Sequence, residues 1–190
     1  MKEFFELEFI GRGGQGAKTA AELVAYILID KGKYVQCFPD YGPERKGAPV
    51  RAFTRISDIE IRGCSSEANP DVIIIIDPTL LPLNGTLFSI KDGQTVIVNS
   101  PEPASVLVKQ YNVPSGVKFF SVDATKIALD TIKNNITNSA MLGALSKACN
   151  MFTLTEIKEA FEVEFSHKLD KEKMDSNFKA IELAYNQVGN

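Results

Sequence analysis

A run of one valine and four isoleucines at residues 72–76 is the feature that most constrains the fold of this chain. These β-branched side chains favour an extended strand, and because no polar residue interrupts them, the strand needs apolar cover on both faces. Parallel sheets with helices packed on both sides provide that cover. Residues 71–76 therefore predict a central, doubly buried strand of an α/β protein, ended by Asp77-Pro78.

The rest of the chain alternates between strand-like and helix-like segments. Residues 4–10 alternate apolar and acidic side chains, which predicts a half-exposed strand with Glu6 and Glu8 toward solvent or a subunit surface. The other predicted strands cover residues 34–38, 50–56, 95–99 and 118–122. The predicted helices are residues 18–30, a helix through Cys149 that Asn138 or Ser139 caps, a helix after Thr153, which has capping-box spacing with Glu156, and residues 171–188. The sequence thus predicts one α/β domain over residues 1–190, with a mostly parallel sheet, helices on its faces and a helical C-terminal part.

Composition excludes several classes of function. The chain has 190 residues, 44% of them hydrophobic, which is enough for one sizeable core. Its net charge of −3 gives no basic surface for nucleic acid. The apolar runs are too short to span a bilayer, and the first residues include acids where a signal peptide would be basic and then apolar. We therefore expect a cytoplasmic protein without nucleic-acid or membrane partners.

The chain offers few candidates for catalysis or metal binding. Cys37, Cys64 and Cys149 are far apart, with no Cys-x-x-Cys pair, so we interpret them as small hydrophobic residues rather than zinc, iron–sulfur or disulfide positions. The one histidine, His167, is expected to be a solvated side chain near a helix end. We predict no catalytic residue and no metal ligand in this chain.

A glycine-rich loop lies between the first predicted strand and the first predicted helix. Its sequence is Gly-Arg-Gly-Gly-Gln-Gly, at residues 11–16. Its glycines allow a close approach of the backbone, and the helix N-terminus directs unpaired N–H groups into the same space, which favours an anion. A plain tight turn is the alternative. Arg12 and Gln15 argue against it, because a turn needs neither of these long polar side chains.

Two nucleotide-binding templates fit this loop only in part. Gly11, Gly13 and Gly16 match the G-x-G-x-x-G of dinucleotide sites, but the acid expected about 20 residues on is missing, since Asp40 comes late and follows Pro39. In the phosphate-binding loop of nucleotide triphosphatases a lysine follows the last glycine directly. Here Ala17 intervenes, which rotates the lysine about 100° around the helix.

A second loop, Asp-Tyr-Gly-Pro-Glu-Arg-Lys-Gly-Ala-Pro at residues 40–49, is rich in charge and stiffened by its prolines. A stiff loop would hold Glu44, Arg45 and Lys46 in a fixed geometry. Arg45 and Lys46 form a candidate anion-binding pair, and Glu44 would orient Arg45 or pair with a partner subunit. The alternative is a charged surface turn.

Six motifs in order resemble the gamma subunit of 2-oxoacid:ferredoxin oxidoreductases, most closely the pyruvate (pyruvate synthase) and branched-chain types. They run from about Phe9 to the C-terminal helix. They are the glycine loop at 11–16, Gly-Lys-Tyr-Val-Gln-x-Phe-Pro at 32–39, Gly-Pro-Glu-Arg-Lys-Gly-Ala-Pro at 42–49, Asp-Pro-Thr at 77–79, Val-Asp-Ala-Thr at 122–125 and Asn-Ser-Ala-Met-Leu-Gly-Ala at 138–144.

The resemblance implies a chemistry that this chain does not perform alone. Such enzymes oxidatively decarboxylate a 2-oxoacid, transfer the acyl group to coenzyme A and reduce ferredoxin or flavodoxin. It implies thiamine diphosphate, magnesium and [4Fe–4S] clusters in partner alpha, beta and delta (ferredoxin-like) subunits. The gamma subunit is associated with coenzyme A binding and with assembly.

On this resemblance we expect coenzyme A phosphates, or a subunit contact, at the two loops. The expected residues are Gly11, Arg12, Gly13, Gly14, Gln15, Gly16, Glu44, Arg45 and Lys46. Asp123, Thr125 and Asn138 are expected to cap helices, and Phe119-Phe120 is a candidate for exposed docking surface. A stand-alone dinucleotide-dependent oxidoreductase and a ligand-free assembly subunit remain the alternatives.

Overall fold

Six strands form one sheet in the computed structural model of the chain, which describes residues 4–41, 48–62, 69–82 and 90–189. The sheet order is β2-β3-β1-β4-β5-β6. The strands are β1 (Phe5–Arg12), β2 (Tyr34–Tyr41), β3 (Pro49–Ser57), β4 (Val72–Ile75), β5 (Thr95–Asn99) and β6 (Lys118–Val122). The pairs β1–β4, β4–β5 and β5–β6 are parallel, whereas β3 is antiparallel to both β1 and β2. The predicted α/β class with a mostly parallel sheet is confirmed.

Six α-helices lie in the described part of the chain. They are α1 (Ala17–Asp30), α2 (Ala104–Gln110), α3 (Ala124–Thr131), α4 (Asn138–Cys149), α5 (Leu154–Phe165) and α6 (Lys171–Gln187), with a 3-10 turn at Pro78–Leu80. The capping box of Thr153 and Glu156 begins α5 as predicted. The short helix α2 was not predicted. The strands predicted at 34–38 and 50–56 extend toward each other, because β2 continues through Tyr41 and β3 begins at Pro49. The loop between them is therefore shorter than predicted.

The isoleucine run is buried on both faces, as predicted. Ile74 and Ile76 face a core formed with α1 and the C-terminal helices, while Ile73 and Ile75 face a second core formed with α2. Side chains alternate across a strand, so one continuous apolar run supplies both layers. This places β4, and the turn that follows it at Asp77, at the centre of the molecule.

The prediction of a half-exposed first strand is wrong. β1 lies between β3 and β4, and the side chains of Glu6 and Glu8 are fully buried. Each acid is neutralised by an arginine of β3: Arg55 Nε donates to Glu6 Oε2 at 2.5 Å, and Arg51 Nε donates to Glu8 Oε1. The acidic alternation marks ion pairs inside the sheet rather than a solvent face.

The expected docking patch at Phe119-Phe120 is also wrong. Phe119 is 5% exposed and packs in the α2 core, while Phe120 is half-buried against the other core. Both phenylalanines lie on β6, so they alternate between the two apolar layers of the sheet.

The arginines of β3 belong to a stack of charged and aromatic side chains on the sheet face opposite α1. The Arg55 guanidinium lies 4.7 Å from the ring centroids of both Phe4 and Phe38. Phe38 stacks on Phe53 at 5.4 Å, and Arg51 lies 5.2 Å from the Phe53 ring. The rings replace water over the guanidinium faces, which lowers the cost of burying the charges.

We predict that Arg55→Ala destabilises the chain by about 3–5 kcal/mol, because it leaves the Glu6 carboxylate buried without its charge partner. Denaturant unfolding measures this loss. The double variant Arg55→Leu with Glu6→Leu should recover part of it, since no charge is then buried. Arg62→Ala is the matched control: Arg62 is 86% exposed, and its loss should change stability by less than about 0.5 kcal/mol. An equal effect of the two alanine variants would contradict the buried pairing.

We also predict a pH dependence that originates at Glu8. Burial raises the pKa of the Glu8 carboxyl above its ordinary 4.5 and outweighs the hydrogen bond and charge of Arg51. A raised folded-state pKa contributes stability that is present below pH 4.5 and lost as the pH rises through the folded-state value. The unfolding free energy of the native protein, relative to Glu8→Gln, should therefore fall as the pH rises from 4.5. A difference that stays flat or grows with pH would contradict a raised pKa of Glu8.

Candidate functional site

The glycine loop is a closed turn between β1 and α1. Gly14 and Gly16 have φ values of +94° and +83°, which favour glycine. Gln15 N donates to Arg12 O at 3.0 Å, and Gly13 N donates to Ala48 O at 3.3 Å. The second of these bonds fixes the loop to the start of β3.

The side chain of Gln15 turns back into the loop. Its Oε1 accepts from Arg12 N at 2.6 Å, and its Nε2 donates to Asp77 Oδ2 at 2.8 Å. A Cβ added to Gly11 would lie 3.3 Å from Gln15 Oε1, so the glycine leaves room for this arrangement. Gln15 thus joins the first turn of the loop to the carboxyl end of β4.

Arg12 is fixed by the same carboxylate. Its Nε donates to Asp77 Oδ2 at 3.1 Å, and its guanidinium also donates to Thr79 Oγ1 at 2.9 Å. The Arg12 side chain is 35% exposed and that of Asp77 is 10% exposed, so one part of the guanidinium reaches solvent. Arg12 and Gln15 therefore have protein partners that shape the loop, which sequence reasoning did not foresee.

Asp77 is the residue of the candidate site whose role the sequence did not reveal. Burial acts to raise its pKa, but hydrogen bonds from Thr79 and Gln15, with the charge of Arg12, outweigh burial and lower it. The carboxylate stays ionised at neutral pH and keeps its donors in place. From the sequence we interpreted Asp77-Pro78 as a strand breaker and residues 77–79 as a family motif, without a role for the carboxylate. An acid directly after a doubly buried strand was the available signal, because it must find donors at the sheet edge.

The N-termini of α1 and α4 meet beside the loop. A Cβ added to Gly16 would lie 3.0 Å from Asn138 Nδ2, and Asn138 is buried. Neither helix has a side-chain hydrogen bond from its N-cap residue, Gly16 for α1 and Thr137 for α4. Two positive helix ends next to each other create a favourable environment for negative charge.

Two of the expected helix caps differ in the structure, and one is confirmed. Asp123 Oδ1 accepts from Lys126 N at 2.9 Å and caps α3 as predicted. Thr125 instead bonds Asn99 through both its N–H and its hydroxyl. Asn138 Oδ1 accepts from the adjacent Ser139 N, and its side chain lies against Gly16. Asn138 is therefore the first residue of α4 rather than its cap.

The order of the strands also bears on where a ligand of this sheet would bind. After β1 the chain crosses to β2 and β3 on one side, whereas β4 lies on the other side of β1. Ligands of open α/β sheets bind outside the carboxyl ends of the strands at such a switch point. The glycine loop and Asp77 follow β1 and β4 there.

The structure brings only part of the predicted site together. All six residues from Gly11 to Gly16 are described, whereas Glu44, Arg45 and Lys46 lie outside the described residues. The bond from Gly13 to Ala48, and the pairing of Arg12 with Pro49, place the end of the second loop beside the glycine loop.

The described cysteines are not activated thiols. Burial raises the pKa of the Cys149 thiol to about 11, and it also raises that of Cys37, so both are neutral at physiological pH. Cys64 lies outside the described residues. Within the described ranges, no group of three His, Cys, Asp or Glu side chains is placed to hold a metal ion. None of the helices described is long and apolar enough to cross a membrane.

Comparison with known families decides what kind of chain carries this site. Residues 6–187 match the family model of pyruvate ferredoxin/flavodoxin oxidoreductases. The chain belongs to this family. The common subunit gamma of the pyruvate/ketoisovalerate oxidoreductases from Thermococcus kodakarensis is 43% identical over 183 residues, covering 96% of both chains. The gamma-subunit resemblance seen in the sequence motifs is confirmed.

Two solved structures of pyruvate and related oxidoreductases share the fold. Pyruvate oxidoreductase subunit PORC from Thermotoga maritima has a TM-score of 0.82 and 37% identity, with 99% of this chain and 98% of that chain covered. The 2-oxoglutarate:ferredoxin oxidoreductase from Magnetococcus marinus, with 2-oxoglutarate, coenzyme A and succinyl-CoA bound, has a TM-score of 0.80 at 22% identity. This chain covers 31% of that longer chain, and at this identity the likeness concerns the fold alone.

Gly16→Ala tests the contact between the two helix ends of this gamma-type chain. The alanine meets both a positive φ and the Asn138 side chain, whereas Gly32→Ala meets a positive φ of +77° with no atom within 4 Å. We expect Gly32→Ala to cost about 1–2 kcal/mol, and Gly16→Ala to cost more. Adding Asn138→Ala to Gly16→Ala should reduce the difference. Denaturant unfolding measures all three, and equal costs for the two glycines would refute the close contact.

Proposed function

We propose that this chain contributes coenzyme A binding and subunit assembly to a 2-oxoacid:ferredoxin oxidoreductase. The reaction is the oxidative decarboxylation of pyruvate or a related 2-oxoacid to acyl-CoA, with reduction of ferredoxin or flavodoxin. Its class is EC 1.2.7.1, the number given for the Thermotoga maritima protein. In this proposal residues 1–190 act as one domain that is inactive alone. Thiamine diphosphate, magnesium and [4Fe–4S] clusters lie in alpha, beta and delta subunits of a cytoplasmic complex.

The glycine loop at the switch point of the sheet is the observation that carries the proposal. Coenzyme A has a pyrophosphate and a 3′-phosphate, and phosphates bind where helix N-termini converge. The first-turn N–H groups of α1, from Ala17 to Thr19, have no intrahelical partner and begin directly after Gly16. The solvent-facing part of Arg12 lies at the same edge of the sheet.

The second loop would complete the site. Arg45 and Lys46 are three and two residues from Ala48, whose carbonyl accepts from Gly13 N at 3.3 Å. A guanidinium there would reach a phosphate held by the glycine loop and bind it through two parallel hydrogen bonds. The fold of this chain also occurs in an oxidoreductase solved with coenzyme A bound, which supports the same ligand class.

We predict that Arg45→Ala and Lys46→Ala, in the complex with its partner subunits, raise KM for coenzyme A about tenfold each, because each variant removes a charged hydrogen bond to phosphate. The KM for the 2-oxoacid and the rate at saturating coenzyme A should stay near native values. Arg62→Ala removes an equally charged, exposed side chain and is the control. If KM for coenzyme A is unchanged in both variants, the two cations do not bind its phosphates.

Two further measurements separate this proposal from its alternatives. Binding of coenzyme A to the complex, abolished by the double variant Arg45→Ala with Lys46→Ala, would argue against a ligand-free assembly subunit. A flavin or nicotinamide bound tightly to the purified chain, detected by absorbance and mass spectrometry, would instead favour the stand-alone dinucleotide enzyme.

A further inference from the structure

An open groove of about 410 Å³ lies between the C-terminal half of α1 and the outer side of α5. Its apolar walls include Tyr26 and Ile29 from α1 and Val163 from α5. These side chains are 47%, 50% and 80% exposed. Ala160 and the buried Ile27 also line the groove.

Helix α1 is apolar on two faces. Leu23 and Ile27 are buried against the sheet and the C-terminal helices, whereas Tyr26 and Ile29, three residues apart, form a second stripe that faces the groove. A surface helix normally has one apolar stripe and a polar opposite face. A second stripe on such a helix indicates a surface that a binding partner covers.

The rim of the groove is acidic. Asp30 and Glu159 line it and have no ion-pair partner among the described side chains, whereas Glu164 pairs with Lys168 and Glu156 pairs with Lys31. Helix α5 contains four glutamates and one lysine, and that lysine, Lys158, bonds Glu182. The groove thus combines an apolar floor with a net negative edge.

We propose that this groove binds an amphipathic segment of a partner subunit, one whose apolar side chains are flanked by lysine or arginine. The inference rests on the proposed function in one respect, that the chain assembles with other subunits. Apolar anchors of the partner would pack on Tyr26, Ile29 and Val163, and its cations would pair with Asp30 and Glu159.

The charge pattern favours this occupant over the others. In a symmetric dimer the same patch meets itself, so one net negative rim would face another and the two would repel. Lys31 also lines the groove, but it already pairs with Glu156. A small molecule needs a cavity that encloses most of its surface. This groove is open, and Val163 projects from its rim. An amphipathic partner segment with basic flanks would cover the apolar walls with its apolar side chains and pair with the acids through its cations.

The groove is separate from the glycine loop. Ile29 lies 13 residues after Gly16 along α1, which at 1.5 Å per residue is about 20 Å. Substitutions in the groove should therefore weaken assembly. The complex that still forms should keep the native KM for coenzyme A.

Matched substitutions in the co-expressed complex test the proposal. Val163→Asp and Glu159→Lys should each raise the dissociation constant of this chain from its partners about tenfold or more, as central contacts do. Glu162→Lys is the control for charge, because Glu162 is exposed on the same helix but does not line the groove. Leu129→Asp, on α3 and 48% exposed, is the control for apolar loss, and both controls should assemble as the native chain does. Native affinity for Val163→Asp and Glu159→Lys, in chains with native melting temperature, would overturn the proposal.

Carbodiimide cross-linking of the native complex gives a second test that needs no variant. Asp30 and Glu159 should form zero-length links to lysines of a partner subunit, identified by mass spectrometry. Links from these acids to a second copy of this chain, or links only from acids outside the groove, would overturn the proposal. A native chain that fails to assemble at all would instead refute the proposed function, whereas an unchanged KM for coenzyme A in Arg45→Ala would leave the groove proposal intact.

Discussion

The pairing of acids on β1 with arginines on β3 is the interaction on which the rest of the structure depends. β1 carries two carboxylates on one face and still occupies the middle of the sheet, which is possible only because β3 supplies a cation for each. β3 therefore joins β1 on one edge while β4 joins it on the other. β1 is therefore the strand on whose two sides the chain places β3 and β4, and the glycine loop that follows β1 lies at this switch point.

Asp77 links that strand to the loop. It follows β4, is mostly buried, and accepts hydrogen bonds from Arg12, Gln15 and Thr79. A buried carboxylate with several donors fixes each donor in turn, because losing any of them would leave charge unsatisfied. The loop is thus held from β1, β3 and β4 at once, and its shape follows from the positions of three strands.

Local patterns predicted much of this fold. The bounds of β5 and β6 and the end of α4 match the predicted segments, and the capping box of Thr153 and Glu156 begins a helix as expected. These elements depend on neighbours within a few residues, which a single sequence displays. The seven residues of α2 escaped prediction because a helix so short shows less than two turns of periodicity.

Contacts between distant residues were the part that the sequence did not reveal. The environment of Glu6 depends on Arg55, 49 residues further along the chain, and Gln15 meets Asp77 across 62 residues. Acids that alternate with apolar residues look the same whether they face water or buried arginines. Local pattern therefore located the glycine loop, and only the three-dimensional pairing explains how Arg12 and Gln15 are used within it.

The Gln15 side chain has a consequence for the kinetics of recognition. The Gln15 amide holds the loop in shape through hydrogen bonds to Arg12 and Asp77. The backbone N–H groups at the start of α1 are therefore oriented before any anion arrives. The conformational entropy of the loop is lost during folding, so a phosphate of coenzyme A, if bound there as we propose, would meet a preorganised loop and would lose little free energy in ordering it. Association at such a site is governed by diffusion and charge rather than by the closing of a loop.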